Sequence, residues 1–236
     1  MKIQSGIITF ATFAISMSFS SLAFAQDDFD ADRVQNAWIE WTNTERSLVG
    51  VPIIASYSGL TQTAKVWSIE SEKRGDMSHK RTSKSSYYDY KEIEKWFGDQ
   101  GLKFKNVSRK TFSESIGYGV VKCPKEGDCT DTLIAATKST WKFFMSEKGR
   151  QYAPHYKAIV MPEFRLMGVG VELDRISKRY YITVHYATEV IGNTSTVAPK
   201  FLPKSVKVSV VLQEDPFDVV LPSSLARKIE VAKNNL

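Results

Sequence analysis

Few residues in this chain could do acid–base or metal chemistry. Its 236 residues include three histidines, His79, His155 and His185, and one carboxylate in an unusual setting, Glu114. Glu114 interrupts the stretch TFSESIGYGV, residues 111–120, whose nearest members are small or apolar. Strands are poor hosts for Glu, and a carboxylate buried in one needs a partner. His79 follows a helix stop at Gly75, and His155 lies in a predicted loop, RQYAPHYKAIVMPEF. Such edges are where a scaffold presents functional groups. Two imidazoles and a carboxylate suffice to hold zinc or another divalent metal with one position open for water. His79, Glu114 and His155 are the expected metal ligands, with Glu114 the general base if the chain is a hydrolase. No local motif such as H-E-x-x-H ties the three together, and a lone loop histidine is usually just solvated. His185, inside YITVHYA, reads as a sheet histidine held by a structural hydrogen bond.

The cysteines and the leader set the compartment. Residues 1–25 combine an early Lys2, an apolar and small-residue middle and a closing Ala23-Phe24-Ala25, the layout of a secretory signal cleaved near Ala25. The mature chain is then expected to be secreted or periplasmic. Export permits a Cys123–Cys129 disulfide, with Pro124 and Gly127 turning the short loop between them. Half of a metal site is the rival reading, and it lacks a second thiol pair or a nearby histidine. No later run is long enough to cross a bilayer, so no transmembrane segment is expected. The formal charge of +6 is spread along the chain. Its densest basic stretch, SHKRTSKSS, has no interleaved aromatics and reads as a solvated loop, so no nucleic-acid partner is expected.

The elements that must position these residues follow from periodicity. Val34, Trp38, Trp41 and Glu45 form one helical stripe, ending at Gly50, and Leu60, Ala64 and Trp67 form a second, ending at Gly75. A shorter helix is predicted in YKEIEKWFGDQG. The clearest is TDTLIAATKSTWKFFMSEKG, with Asp131 at its positive end and Ile134, Thr137, Trp141, Phe144 and Lys148 along one face. Strands are predicted in LKFKNVS, TFSESIGYG, LMGVGVEL and RYYITVHYA, the last two joined as a hairpin by DRISKR. The order predicts an α+β fold with a sheet covered by helices. From about residue 190 the chain turns polar and Pro-rich, then alternates Val206, Val208 and Val210, so residues 190–236 read as a C-terminal extension of a domain spanning 26–189.

Six stretches, in order, resemble the CAP superfamily (cysteine-rich secretory, antigen 5 and pathogenesis-related 1 proteins), and the bacterial SCP-like members most of all. NTER with VGVP is similar to the family's N-x-x-R and G-x-x-P, and LTQTAKVWS followed by MSHKR to its helix and trailing histidine. SESIGYG resembles G-E-N-I-x-x-G, HYKAIVMPEF the H-Y segment, LMGVGVELD its G-V-G strand, and YYITVHY the final strand. The resemblance covers roughly residues 35–187. It implies a three-layer α-β-α sandwich with a His/Glu cleft, in which His79, Glu114 and His155 take the family's positions. The chain departs from the pattern at Ser113 and Ser115, where the family has Gly and Asn. It departs again at Phe144, where a second carboxylate would fall; Glu147 is near that position but out of helical phase. The resemblance implies a secreted binding module, ahead of an enzyme, with a small ligand, lipid or peptide in the cleft. Trp141, Phe143, Phe144, Tyr152 and Tyr156 suit an apolar pocket. A zinc-dependent, peptidase-like hydrolase using His79, His155 and Glu114 is the alternative, and a structural or interaction role with a vestigial cleft is the third.

Overall fold

The computed structural model describes residues 29–191 apart from 106 and 109. The expected signal segment, most of the expected C-terminal extension and the strand predicted at Val206–Val210 fall outside the described residues. In chain order the elements are α1 (Ala31–Leu48), β1 (Ala55–Ser56), α2 (Ser58–Arg74), α3 (Tyr90–Asp99), β2 (Lys103–Phe104) and β3 (Phe112–Val120). They continue with α4 (Thr130–Met145), α5 (Pro154–Val160), β4 (Leu166–Asp174), β5 (Arg179–Ala187) and β6 (Val190–Ile191). Among these described elements, no helix is long and apolar enough to cross a membrane.

Local chemistry sets the helix ends. Asp30 accepts from the Arg33 backbone N–H at 3.0 Å and Asp89 from that of Glu92 at 3.3 Å, each supplying an orphan donor of a first turn. Gly75 ends α2 in the left-handed region at φ 63°. The stretch predicted as a loop around His155 contains α5 instead. Pro154 opens that helix, where its missing N–H costs nothing, and seven residues are too few to show a periodic stripe. The predicted strand in LKFKNVS shrinks to Lys103–Phe104, which pairs with β6, so the folded body runs at least to Ile191.

The main sheet has the order β1-β4-β5-β3, with β1 parallel to β4 and the other pairs antiparallel. Strand alternation divides its side chains between two layers. Met167, Val169, Val171, Tyr180, Ile182, Val184 and Tyr186 pack with α1, α4 and α5 around Trp38, Trp141 and Phe144. On the other face α2 lies directly on β4 and β5. There Leu60, Ile93, Phe97, Phe112 and Ala187 form a second core. The result is an α+β fold arranged as a three-layer α-β-α sandwich. Glycine makes the α2 contact so close: a Cβ on Gly170 would stand 2.1 Å from Lys65 N and 2.2 Å from Ala64 C. Arg46 is buried in the first layer and donates to the carbonyls of Pro52, Ile159, Met161 and Phe164 at 2.6–3.0 Å. Asn43 exchanges two hydrogen bonds with Ile54, so the N-x-x-R stretch anchors the α1–β1 turn and α5. Cys123 and Cys129 are bridged, their Cα atoms 5.2 Å apart, in the connection that leads into α4.

Candidate functional site

Glu114 occupies the middle of β3, and its side chain faces the α2–α3 layer, because it pairs with His185 in register and shares that residue's face. Its carboxylate is fully buried and fully engaged. Oε1 accepts from His79 Nδ1 at 2.8 Å and Arg81 Nη1 at 3.2 Å; Oε2 accepts from Arg81 Nη2 at 2.5 Å and His185 Nε2 at 2.8 Å. The Arg81 side chain, 3% exposed, makes a bidentate pair, the strongest geometry open to guanidinium and carboxylate. Its Cζ lies 3.4 Å from the Trp67 ring centroid and 4.4 Å from that of Trp96, so two indole faces hold the cation. Trp67 is itself oriented by its indole N–H, which donates to Ser78 O at 3.1 Å. Burial alone would raise the Glu114 carboxyl. Arg81 first, and then the bonds from His185 and His79, overcome it and hold the group well below the usual carboxylate range.

His185 completes the cluster from β5. Its Nδ1 is 2.9 Å from Thr63 Oγ1 of α2 while Nε2 faces Glu114. Burial pushes its pKa down, which keeps the ring neutral, and the carboxylate demands a proton on Nε2. The one hydroxyl hydrogen of Thr63 then lies between Nδ1 and Leu60 O, to which Oγ1 also donates at 3.0 Å. A hydroxyl–imidazole–carboxylate row of this type resembles a nucleophile relay, but Thr63, His185 and Glu114 are all buried and no substrate carbonyl could reach them. The expected structural hydrogen bond of His185 is present, and its acceptor is the very carboxylate whose partner was in question. Tyr88 closes the outer side: its hydroxyl accepts the Glu114 backbone N–H at 3.1 Å, and burial and the nearby Glu114 charge push its own pKa up to about 12.

His155 goes elsewhere. It stacks on Phe144 with ring centroids 4.2 Å apart and 4° between planes, and Phe144 belongs to the core of the opposite layer. Its partner is Glu147, with Nδ1 2.6 Å from Oε1. The other Glu147 oxygen accepts the backbone N–H groups of His155 at 2.8 Å and Tyr156 at 3.2 Å, capping the first turn of α5. The helical phase that set Glu147 aside does not apply to it, because α4 ends at Met145 and Glu147 lies in the turn beyond.

The structure therefore brings His79 to Glu114 and gives His155 a different carboxylate. Among the described residues no three His, Cys, Asp or Glu side chains form a cluster able to hold a metal ion. The geometry of Glu114 explains this. A metal ligand or general base needs a free carboxylate lone pair within reach of solvent, and both oxygens here are taken by N–H donors in a buried setting. The expected three-ligand zinc centre does not fit, and Glu114 has no geometry for activating water. Arg81, placed by its sequence in a solvated basic loop, is the central cation of the cluster. No sequence rule joins it to Trp67 and Trp96, which lie on different helices. The available signal was its position two residues after His79, the alternation of an extended segment.

An open groove runs over the outer edge of β3. Met77, Ile116 to Val120, Phe143, Phe144 and Tyr180 line it. Tyr118 is 53% exposed, Val120 67% and Phe143 59%, so its walls carry apolar surface in contact with solvent. The floor is fixed by the Tyr180 hydroxyl, which lies 2.8 Å from Thr140 Oγ1 and donates to Ala136 O at 3.0 Å.

No family model matches the chain, and no curated protein does. Among solved structures it is similar to an extracellular protein containing an SCP domain from Bacillus anthracis, at 15% identity and a TM-score of 0.45 over 67% of this chain and 41% of that one. It is similar to the CAP domain of enterococcal PrgA at 16% identity and a TM-score of 0.46, over 66% of this chain and 60% of that domain. An outer surface protein from Borrelia burgdorferi gives 11% identity and a TM-score of 0.44, over 64% of this chain and 90% of that one. The chain thus spans well under two thirds of the length of the Bacillus protein.

Proposed function

We propose that the chain is a CAP/SCP-type binding module whose groove takes an extended, apolar peptide segment along β3. The observation that carries this reading is the state of the β3 edge. β3 is the last strand of its sheet, paired to β5 on one side alone among the described residues. The Glu114 N–H points outward to Tyr88, and main-chain direction alternates along a strand, so the N–H and C=O groups of Ile116, Tyr118 and Val120 point outward too. A ligand in the groove therefore meets a row of main-chain donors and acceptors beside exposed Tyr118, Val120 and Phe143. An extended peptide satisfies both, pairing its backbone with the edge and setting alternate side chains on the apolar wall. An acyl chain would cover the wall and leave the polar edge unmatched. Glu114 and Glu147 are committed to histidines and to main-chain or guanidinium donors, which favours binding over hydrolysis.

The test is selection from a displayed library of random peptides, followed by affinity measurements on the winners. Val120→Pro removes one outward N–H and spares the ladder to β5, so it should weaken binding by roughly tenfold or more while the melting temperature holds. Phe143→Ser should act similarly through the wall. Selected peptides that bind both variants as tightly as the parent, or a groove that takes a fluorescent fatty acid and enriches no peptide, would overturn the reading.

A further inference from the structure

We infer that Arg81 is the resident cation of the Glu114 cluster, holding the place that a divalent metal would need and keeping metal away from the carboxylate. The inference goes beyond the peptide-binding reading and stands apart from it, since it concerns the buried Glu114 cluster, whose side chains do not line the groove. Three observations carry it. A fully buried carboxylate with an imidazole on each oxygen is the donor set of a partial metal site, and such a cluster needs a positive charge to persist away from water. The guanidinium supplies that charge at the one place touching both oxygens, through Nη1 at 3.2 Å and Nη2 at 2.5 Å. The cation is also too well held to be incidental. Its Cζ lies over both the Trp67 and the Trp96 rings, which meet edge to face, Nη1 donates a further bond to His79 O at 3.0 Å, and its Nε is buried without a hydrogen-bond partner. That orphan N–H is tolerated to bring the two Nη groups onto Glu114.

The charge, more than the bulk, is what should exclude metal. A dication placed beside a guanidinium in a buried site is repelled, and Arg81 has already taken the lone pairs that it would use. Removing the side chain frees a lone pair on each Glu114 oxygen, with the imidazoles of His79 and His185 beside the carboxylate.

The test uses the full chain with zinc as the probe. In the parent protein, imidazole NMR signals of His79 and His185 should stay unmoved as zinc is added to millimolar excess, with any response confined to His155 and other surface groups. Arg81→Ala should bind zinc at least about tenfold more tightly than the parent, and the gain should vanish in the Arg81→Ala, Glu114→Gln double variant. Arg81→Lys keeps a positive charge and should stay as zinc-poor as the parent. A parent whose His79 and His185 signals shift with zinc, and lose that response in Glu114→Gln, would overturn the inference. So would a folded Arg81→Ala whose zinc affinity equals that of the parent and of Arg81→Lys. If Arg81→Ala is unfolded without metal, folding on zinc addition supports the inference. If it stays unfolded with zinc, the parent titration decides.

Discussion

Glu114→Gln isolates the carboxylate's charge at nearly constant volume. In the parent, four N–H donors converge on two anionic oxygens. The amide offers one acceptor oxygen and turns an NH₂ donor towards whichever pair of donors remains, so at least two of the four contacts become donor against donor. Arg81, 3% exposed, is left as a buried cation with no anion beside it. Breaking a buried ion pair from one side costs about 3–5 kcal/mol. The Trp67 and Trp96 faces still favour the guanidinium, by about 2 kcal/mol when desolvated, which places the result at the lower end. With about 3 kcal/mol lost, a body of this size should melt roughly 6–12 °C lower. The assay is reversible thermal and urea unfolding of Glu114→Gln, Arg81→Met and the double variant. The double variant removes both charges and should be less damaged than the two single losses added together, with a coupling of about 2 kcal/mol. A Glu114→Gln protein within about 0.5 kcal/mol of the parent, or single effects that simply add, would refute the reasoning.

Acid should destabilise the fold in two stages. His185 is held below its usual pKa and Glu114 well below its own, so in each window the unfolded chain binds more protons and stability rises with pH. Urea midpoints should therefore fall as pH drops below about 6.5, and fall again below about 4.5, at up to about 1.4 kcal/mol per pH unit for each group. The second limb should flatten in Glu114→Gln, and midpoints that rise on acidification would sink the assignment. Gly170→Ala drives a methyl group into the α2 backbone at Ala64 and Lys65, which no side-chain rotation relieves, so a loss of roughly 3 kcal/mol is expected by urea unfolding. Gly75→Ala, with nothing within 4 Å of its added Cβ but a left-handed φ, should cost only about 1 kcal/mol, and equal losses at the two sites would contradict the close-packing account. Glu147→Ala removes the cap of α5 and the His155 partner, and should cost about 1–2 kcal/mol while His155 exchange with solvent rises in NMR.

How much of this was legible depended on the range of the interaction. Helices α1, α2 and α4 and strands β3, β4 and β5 follow from apolar period and stop residues, signals carried within a dozen positions. The Cys123–Cys129 bridge joins residues six apart and needed only a turn between them. The helix α5 was hidden because its N-terminal acceptor, Glu147, lies outside it and its own seven residues carry no stripe. The site was legible by residue type and illegible by partner. Glu114 was recognisable as a buried carboxylate in want of a counter-charge, and His79 as one neighbour. Arg81 escaped because a basic loop normally marks solvent, and what buries this one is a pair of indoles contributed by α2 and α3. His185 escaped as the fourth member because cross-strand register with Glu114 is set by the β3–β5 pairing, which local sequence does not announce.

The two His–Glu pairs are alike in composition and differ in what completes them, and that difference assigns their work. Glu114 is completed by a guanidinium and a neutral histidine inside the sheet layer, which ties the loop bearing Met77 and His79 to β3. Glu147 is completed by the main chain of α5, which ties the end of α4 to His155. Tyr180 pins the floor of the groove to α4 through Thr140 and Ala136. A groove held in this way has its geometry before any ligand arrives, so a ligand need not supply the free energy of ordering its walls. The residues whose types suggested chemistry act here as struts. The surface proposed to meet a peptide is elsewhere: the outer edge of β3 and the aromatic wall beside it, with no carboxylate in the lining.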